Sequence, residues 1–402
     1  MSNLISKQIS LRSSEKHAGN ISRKIAAYHS AGKFKRAAHW TGMYLNSFDA
    51  KYVAVHRANQ KLPRQRRRPK KELAEIAANL DPWKGSEEDV IVNLKFKGDT
   101  ENSFRTIMNF GIENRALQYL VGSALLPQAD LHTSQHAISG GRNSAIEAAL
   151  NAISAGYIWI AEIDIKNFFQ SLDGENLPGL LPLPRQVTRQ SIASQGLSLI
   201  PGNILSHCGY DSISEWREDD IDPIAGMLIE ARQGIPQGSA VSSIVAETLL
   251  APVVAETSKI GAAVNYADNI LVMARERQDA VSMIETLVAA LKSHPVGPLK
   301  PHFKTSLGNH MRFDFLGYSI FNEYGNCIAK PTENHLARFS SRYSSDLVKA
   351  TDPTMPLVKR KRRLKNLSRY VRSWTAAFSL WGWAKTERKQ KLDKIKRTLN
   401  RI

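Results

Sequence analysis

Residues 265–272 read NYADNILV, an apolar run that Tyr-Ala-Asp-Asn interrupts. With its flanks, AAVNYADNILVMA (262–274), the run has the pattern of two short strands joined by a tight turn. If side chains alternate between the faces of the first strand, Tyr266 and Asp268 share a face. Asn269 has the shape of a second acid without the charge. The pattern therefore predicts a hairpin with Asp268 near its tip, which is either an ordinary turn or a metal site that lacks one charge.

A second acid follows another apolar strand. YIWIAEID (157–164) is typical of a strand, and Ile160, Glu162 and Asp164 share one of its faces. An isolated Asp after a strand is most often a cap or a turn residue. Acids at the ends of neighbouring strands can instead share divalent ions, and two magnesium ions about 3.5–4 Å apart recur in chemistry that joins a hydroxyl to a phosphate. Asp164 and Asp268 are therefore candidate metal ligands.

The charge of the chain predicts a polyanionic partner. The 402 residues carry a formal net charge of +18, and 42% of them are hydrophobic, which indicates a globular chain. Residues 331–402 hold 19 Lys and Arg against five Asp and Glu, a net charge of +14, so this tail accounts for most of the excess. A second basic cluster is RQRRRPKK (64–71). Nucleic acid is the first candidate partner, and an anionic membrane surface is the second.

The cellular compartment is predicted from features that the sequence lacks. The N-terminal residues contain no apolar core long enough for a signal peptide, and no stretch approaches the length of a membrane-spanning helix. The two cysteines, Cys208 and Cys327, are far apart and lack metal-site spacing. We therefore expect reduced cysteines in a cytoplasmic protein that does not enter a membrane.

Helical and strand patterns both occur along the chain, which indicates an α+β fold. Residues 1–60 are amphipathic with few turn signals, and residues 91–110 alternate like two strands. SAVSSIVAETLLAPVVAETSK (239–259) is typical of a long helix, and MRFDFLGYSI (311–320) is typical of a strand pair. A basic helix near the C-terminus has one apolar face, formed by Leu364, Leu367, Val371, Trp374 and Phe378.

Six elements resemble motifs of the bacterial reverse transcriptase family, in the order that the family has them. They are FRTIMN (104–109), ISGGRNSAIEA (138–148), AEIDIKNFFQSLD (161–173), RQGIPQGSAVSSI (232–244), NYADN (265–269) and FKT followed by FDFLGY (303–318). The first two are similar to fingers elements, the third to the first catalytic motif, and the fourth to the Gln-Gly motif. The resemblance covers about residues 91–320 and, more loosely, the basic tail.

The resemblance implies a right-hand polymerase fold of the α+β class. It divides the chain into a basic helical N-terminal extension (1–90), fingers and palm (91–330) and a basic helical thumb (331–402). The cationic face of such a thumb can follow the backbone of a nucleic-acid duplex, and the affinity should fall steeply with salt.

The resemblance assigns metal binding to Asp164, Ile165 and Asp268, with Mg²⁺ as the ion and Mn²⁺ as an alternative. NYADN stands where the family has Tyr-x-Asp-Asp, so Asn269 departs from the pattern. An amide keeps a carbonyl oxygen of the kind that magnesium accepts, but the lost negative charge should weaken cation binding. Asn also tolerates the left-handed backbone of hairpin tips. We therefore expect an active enzyme in which Asn269 takes a weak or indirect catalytic part.

Sugar selection and leaving-group chemistry follow from the same resemblance. An aromatic ring at Phe169 would close against C2′ of the sugar, so a 2′-hydroxyl would clash, which implies deoxynucleotide substrates. We assign the neighbouring Phe168 to the core. Lys304 would donate a proton to the departing pyrophosphate or neutralise its charge, and the alternative is a solvated lysine.

Four further residues would bind the nucleotide. Arg105 and Arg142 would hold the triphosphate, since guanidinium groups pair bidentately with phosphate, and a surface arginine is the alternative for each. Gln237 and Gly238 would line the site of the incoming nucleotide. We expect Gln237 to begin a helix after Pro236 and to pack under the base pair.

The implied function is DNA synthesis from dNTPs by two-metal nucleotidyl transfer on an RNA template, with a dedicated noncoding RNA as one candidate template. Two alternatives stay open: a catalytically weak or inactive polymerase fold that binds nucleic acid, and a terminal transferase that needs no template. The sequence leaves the template, the primer and the oligomeric state undetermined.

The absence of an endonuclease motif after the thumb, of an RNase H domain and of an integrase argues against a self-mobilising element. The chain is most similar to stand-alone enzymes associated with defence against phage, including abortive-infection types. Membership of the group II intron-like or retron-like lineages stays open.

Overall fold

The computed structural model describes residues 10–96, 104–203, 223–310, 312–323 and 326–401. Cys208 lies outside these ranges, and Cys327 is a free, half-buried thiol. The chain forms two compact units, each built from segments that are distant in sequence. The first comprises Met1–His132, Ile165–Val253 and Val288–Pro301, and the second comprises Thr133–Asp164, Val254–Leu287 and His302–Ile402. The division at residues 90 and 330 stays a prediction.

The described helices follow one another along the whole chain. They are α1 (Leu11–Ser30), α2 (Phe34–Asn46), α3 (Phe48–Lys61), α4 (Lys70–Asn79), α5 (Ile112–Leu125), α6 (Gly141–Ser154), α7 (Phe168–Ser171), α8 (Leu177–Leu180), α9 (Arg185–Ser191), α10 (Pro223–Ala231), α11 (Ser242–Thr257), α12 (Arg277–Lys292), α13 (Glu333–Thr351), α14 (Leu357–Ala377) and α15 (Ala384–Arg401).

The described strands lie between these helices. They are β1 (Val90–Phe96), β2 (Phe104–Asn109), β3 (Trp159–Ile165), β4 (Leu199–Pro201), β5 (Ala262–Tyr266), β6 (Asn269–Ala274), β7 (Pro301–Asn309), β8 (Arg312–Phe315), β9 (Tyr318–Glu323) and β10 (Asn326–Pro331). Within the described ranges they form three sheets, in the orders β2-β1-β4, β5-β6-β3-β7 and β10-β9-β8. The mixture of helices and sheets confirms the α+β class.

The first unit begins with a helical part. Helices α1, α2 and α3 pack on one another, and α3 also packs on α5, which confirms the helical prediction for the N-terminal region from Leu11 onward. The basic cluster forms a 3₁₀ turn at Arg64–Arg66, and α4 begins at Lys70, directly after Pro69. Proline is well accommodated at a helix start because its missing N–H would have no partner there.

The sheet of the first unit contains the predicted strand pair of residues 91–110. Strands β1 and β2 pair antiparallel, and β4 adds to β1 in parallel. Val90, Val92 and Leu94 point from β1 into a small core that also contains Met108 and Phe110. The period-two alternation of β1 therefore places its apolar side chains on one buried face.

The second unit contains the four-stranded sheet. Strands β3 and β6 are its inner strands, and the side chains of Ile160–Ile163 and Ile270–Ala274 are buried. Such strands are covered on both faces, which explains why their sequences are nearly continuous apolar runs. Helix α6 contributes Ile146 and Ala149 to the same core cluster as Leu271 of β6.

Helices α13, α14 and α15 close the chain around a core of their own. Leu364, Leu367 and Val371 are buried on α14, which confirms the predicted apolar stripe. The ring of Trp374 stacks on that of Phe339 with 4.0 Å between the centroids. Among the helices of the described ranges, none has both the length and the apolar character needed to cross a bilayer.

Candidate active site

Two predicted acid-bearing motifs lie side by side in the sheet of the second unit. Strands β5 and β6 form a hairpin in which Tyr266 pairs with Asn269, and β3 pairs with β6 so that Asp164 lies opposite Asn269. The hairpin turn consists of Ala267 and Asp268 alone. Because β5 ends at Tyr266, the expectation that Asp268 continues its period-two face is wrong, and Asp268 is instead the second turn residue.

The hairpin turn holds a residue in an unfavourable conformation. Ala267 has a φ of +54°, in the left-handed region that tight two-residue hairpins require and that Gly or Asn adopts more easily. A non-glycine residue held there costs on the order of 1–3 kcal/mol unless its surroundings fix it. The amide of Asn265 lies beneath the turn, and its Nδ2 donates to the carbonyl oxygens of Ala267 (2.8 Å) and Asn269 (3.1 Å).

A lysine ammonium group lies among the oxygens of this site. Lys304, on β7, donates from Nζ to Oδ1 of Asn269 at 2.6 Å and lies 3.2 Å from Oδ1 of Asp164. Its distance to Oε1 of Glu162 is 4.0 Å. The predicted catalytic residues Asp164, Asn269 and Lys304 are therefore brought together, with Asp268 in the adjoining turn and in contact with Asn269.

Glu162 is a buried carboxyl group in the same site. Its side chain is 6% exposed, and burial is the main cause that raises its pKa to about 7. The positive charge of Lys304 opposes this rise, whereas the carboxylates of Asp164 and Asp314 add to it. Glu162 and Asp314 also line a pocket of about 420 Å³ together with Asn269 and Lys304. Acidic groups thus outnumber the lysine, which makes the site attractive to a further cation.

The donor chemistry of this site fits a divalent ion such as Mg²⁺. Asp164 and Asp268 offer carboxylate oxygens and Asn269 an amide oxygen, and hard cations prefer oxygen ligands. Ile165 is buried and can contribute only its main-chain carbonyl. Within the described ranges, no three or more His, Cys, Asp or Glu side chains form a metal-binding cluster.

The Gln-Gly motif lies in a loop of the first unit. Helix α11 begins only at Ser242, so the expectation that Gln237 starts a helix is wrong. The carbonyl of Gln237 instead accepts a hydrogen bond from the N–H of Met108 on β2 at 3.0 Å. Gly238 has a φ of +96°, and a Cβ there would lie 3.0 Å from the carbonyl oxygen of Met108. Close approach to β2 therefore explains the glycine.

One atom of this loop is unsatisfied. Oε1 of Gln237 is buried and has no hydrogen-bond partner among the described residues. Leaving such an acceptor unpaired costs about 1–3 kcal/mol, so native structures rarely keep one without a reason. An amide oxygen of this kind is suited to receive a donor from a ligand.

Phe168 and Phe169 have different environments, as predicted. Phe168 is 1% exposed and belongs to the core, whereas Phe169 is only partly buried. The main-chain carbonyl of Phe169 accepts from the N–H of Ile235 at 2.8 Å, so the backbone of this residue is tied to the loop that carries Gln237. The role of the Phe169 ring in sugar selection stays a prediction.

The two predicted phosphate-binding arginines belong to different units. Arg105 lies on β2 and pairs with Lys95 of β1. Arg142, at the start of α6, donates to the carbonyl of Ala377, and its guanidinium lies 4.4 Å from the ring centroid of Phe378 and 5.3 Å from that of Tyr318. For both arginines, triphosphate binding stays a prediction.

The sequence interpretation missed several residues of the site. Glu162 was noted only as a face-sharing neighbour of Asp164, although its position two residues before that acid was the available signal. Asp314 lies in the recognised FDFLGY element but received no role. Asn265 is a polar residue within an apolar strand, which is a usable signal, whereas Gln135 lies in a polar loop and gives none.

Comparison with known proteins identifies the family. A family model described as reverse transcriptase (RNA-dependent DNA polymerase) matches residues 95–320, and no curated protein matches significantly. Among solved structures, telomerase from Candida albicans in complex with a TWJ fragment of telomeric RNA matches with 11% identity and a TM-score of 0.37, over 77% of this chain and 63% of that chain. This chain thus spans less than two thirds of that telomerase chain. Since the family model covers more than half of its residues, the protein belongs to the reverse transcriptase (RNA-dependent DNA polymerase) family.

Proposed function

We propose that this chain is an RNA-directed DNA polymerase, a nucleotidyltransferase that extends a primer with dNTPs. Family membership supplies the reaction class. Asn269 departs from the family pattern, but one observation supports activity. Side-chain oxygens of Asp164 and Asn269 both contact the ammonium group of Lys304. The amide oxygen of Asn269 thus already serves as a cation ligand beside the carboxylate.

The carboxylates of Asp164 and Asp268 would hold the Mg²⁺, or Mn²⁺, with the amide oxygen of Asn269 and the main-chain carbonyl of Ile165 as further ligands. When bound, such ions lower the pKa of the attacking 3′-hydroxyl and neutralise charge on the departing pyrophosphate. The β3–β6 pairing fixes Asp164 and Asn269 relative to each other, so the protein contributes a preorganised set of oxygens.

Lys304 has two roles in the proposal. Its ammonium group compensates the carboxylate of Asp164, and it competes with a divalent ion for that ligand. The same group is 41% exposed, so it can reach solvent-facing phosphate oxygens and donate a proton or positive charge to pyrophosphate.

Residues outside the acidic site would bind the nucleotide substrate. Phe169 selects deoxy sugars, Gln237 and Gly238 line the nucleotide position, and Arg105 and Arg142 bind phosphates. The buried, unpaired Oε1 of Gln237 supports this assignment because a ligand donor would satisfy it.

RNA is the proposed template, and basic surfaces would contact it. Helices α13, α14 and α15 carry most of the excess positive charge, and the cluster at residues 64–71 adds to it. Lys and Arg that neutralise phosphates release counterions, so binding should weaken steeply as salt is raised. A dedicated noncoding RNA is one template that such a protein would retain through purification.

The test is nucleotide incorporation by the purified protein with the RNA that purifies with it. Labelled dNTPs or rNTPs are supplied with Mg²⁺ or Mn²⁺, and Asp164→Ala is measured beside the wild type. Glu276→Ala, which removes an exposed acid before α12, is the matched control. We expect dNTP incorporation that the control keeps and that Asp164→Ala loses by at least about 1,000-fold.

The products distinguish the alternative functions. A product that copies the co-purifying RNA supports the polymerase and, by its sequence, tests the proposed link to a noncoding RNA and to phage defence. A product of uniform or random sequence would favour a terminal transferase. Tight RNA binding with no incorporation under either metal would favour a non-catalytic binding protein.

A further inference from the structure

The catalytic hairpin is supported from below by a pair of buried amides. Asn265 and Gln135 are both fully buried, with 0% exposure. Nε2 of Gln135 donates to Oδ1 of Asn265 at 3.1 Å, while Nδ2 of Asn265 donates to the carbonyls of Ala267 and Asn269. Both polar atoms of the Asn265 side chain are therefore hydrogen-bonded, and both N–H groups of Nδ2 donate to main-chain carbonyls of the hairpin.

Main-chain bonds fix the position of this amide pair. The N–H of Asn265 donates to the carbonyl of Ser134 at 2.8 Å, and the N–H of His136 donates to the carbonyl of Asn265 at 3.0 Å. Gln135 and Asn265 also face each other in an isolated parallel bridge. The loop before α6 is thus hydrogen-bonded to β5 at Asn265, the residue whose side chain contacts the turn.

The turn needs such support because its own sequence does not favour it. Two-residue hairpins depend on residues that accept a positive φ, usually Gly, Asn or Asp, and here the position belongs to Ala267. A side-chain donor on the carbonyl of Ala267 fixes the orientation of that peptide unit. The next residue along the chain is Asp268, so the same bond sets the direction in which its carboxylate leaves the turn.

We propose that Asn265 is a positioning residue for catalysis, oriented by Gln135, which holds the strained Ala267 turn so that Asp268 is presented to the catalytic metal. The inference rests on the proposed function for its catalytic part. Its structural part, the hold of Asn265 on the turn, does not depend on activity. A displacement of about 1 Å at a catalytic group can cost about 100-fold in rate, so a weak hold on the turn has a large effect.

The experiment compares three variants of the full-length protein: Asn265→Leu, Ala267→Gly and the double variant. Leu removes both donors and keeps the approximate volume, whereas Gly removes the penalty for positive φ. We expect Asn265→Leu to lower kcat about 10- to 100-fold, with the KM for dNTP changed less than about twofold. Ala267→Gly should return at least about a third of the lost rate in that background.

A matched control separates positioning from loss of stability. Asn114→Leu removes another buried asparagine, whose Nδ2 donates to the carbonyl of Glu88 and which is not part of the hairpin. It should lower the unfolding midpoint to a similar degree as Asn265→Leu and leave kcat unchanged. Gln135→Met should show part of the Asn265→Leu defect, since it removes the donor that orients Asn265 and leaves both donors of Asn265 in place.

Unfolding measurements keep the inference distinct from the proposed function. If the wild type incorporates no nucleotide, the proposed function fails, yet Ala267→Gly should still restore more stability to Asn265→Leu than it adds to the wild type. A wild-type kcat in Asn265→Leu overturns the positioning role while leaving the polymerase intact. Equal effects of Ala267→Gly in both backgrounds would overturn the hold on the turn.

Discussion

The hairpin turn between β5 and β6 and the Gly-Ile-Pro-Gln-Gly loop (234–238) differ in how they satisfy buried polar groups. In the hairpin, the amide of Asn265 donates to two carbonyls and accepts from Gln135. In the loop, Oε1 of Gln237 is buried without a partner among the described residues. The hairpin is thus complete within the protein, whereas the loop carries an unsatisfied acceptor that a bound ligand would relieve.

The two regions also reach left-handed backbone by different means. The loop uses glycines, with φ of +58° at Gly234 and +96° at Gly238. The hairpin uses Ala267 and supports it with side-chain hydrogen bonds. The loop therefore reaches its geometry because Gly234 and Gly238 lack side chains, whereas the hairpin geometry depends on the side chain of Asn265.

Gly234→Ala tests the loop side of this comparison and should have the largest effect. A Cβ at this position would overlap the carbonyl oxygen of Phe169, which accepts a hydrogen bond from Ile235, and the positive φ adds strain. We expect a loss of about 3 kcal/mol or more in the free energy of unfolding, measured by chemical denaturation. Gly19→Ala, on α1 with open space around its Cβ position, should be neutral or stabilising. Equal stability of Gly234→Ala and wild type would mean that the loop is not held as described.

Gln237→Leu sharpens the contrast between a complete and an incomplete site. Removing the unpaired acceptor should leave the free energy of unfolding unchanged or raise it by about 1 kcal/mol, while dNTP incorporation falls about 10- to 100-fold. Gln118→Leu is the matched control, because Oε1 of Gln118 accepts from the N–H of Ala240 at 2.9 Å. That variant should lose stability. A Gln237→Leu protein that is both less stable and fully active would contradict the ligand-binding role.

Asn269→Asp tests whether the hairpin lacks one charge. The added carboxylate should lower the Mg²⁺ concentration for half-maximal incorporation about tenfold, since cation affinity rises with the charge of the ligands. Asn20→Asp, an exposed change on α1, adds the same charge elsewhere and should have no effect. Lys304→Met should also lower the Mg²⁺ requirement, because it removes the ammonium that competes for Asp164. An unchanged requirement in Asn269→Asp would place Asn269 outside the metal site.

Sequence alone predicted the β5–β6 hairpin correctly, the local geometry of the loop incorrectly at Gln237, and the long-range contacts of both regions poorly. Period-two alternation and turn residues depend on neighbours in the chain, so the β5–β6 hairpin and the core position of Phe168 were predicted correctly. The 130-residue separation between Gln135 and Asn265 leaves no periodic signal, and the contact of Lys304 with Asp164 depends on the order of strands in the sheet.

The error at Gln237 has a specific physical cause. Proline commonly occupies the first turn of a helix, so Pro236 followed by Gln suggested a helix start. Gly238 instead takes a φ of +96°, which is incompatible with a helix, and α11 begins at Ser242. The sequence contained this glycine, but only its approach to Met108 on a distant strand explains why it interrupts the helix.

The smallest predicted effect concerns a titrating group beside the hairpin. The main-chain N–H of His136 donates to the main-chain carbonyl of Asn265, and Nδ1 of its imidazole lies 3.0 Å from Oγ of Ser144. Burial lowers the pKa of this imidazole. The folded chain therefore binds this proton more weakly than the unfolded chain does. The contribution of His136 to stability is present above the ordinary histidine pKa of about 6.5 and is lost as pH falls below it.

His136→Asn should remove part of that pH dependence. Thermal unfolding between about pH 7.5 and about pH 5.5, roughly one unit either side of the ordinary pKa, should show a smaller loss of stability in the variant than in the wild type. His17→Asn, at an exposed position on α1, should keep the wild-type profile. If both variants follow the wild type, the support of the hairpin does not titrate. If only His136→Asn differs, the imidazole of His136 makes the stability of the hairpin depend on pH. Acid would then destabilise the hairpin, whereas Gly234→Ala would destabilise the loop at residues 234–238.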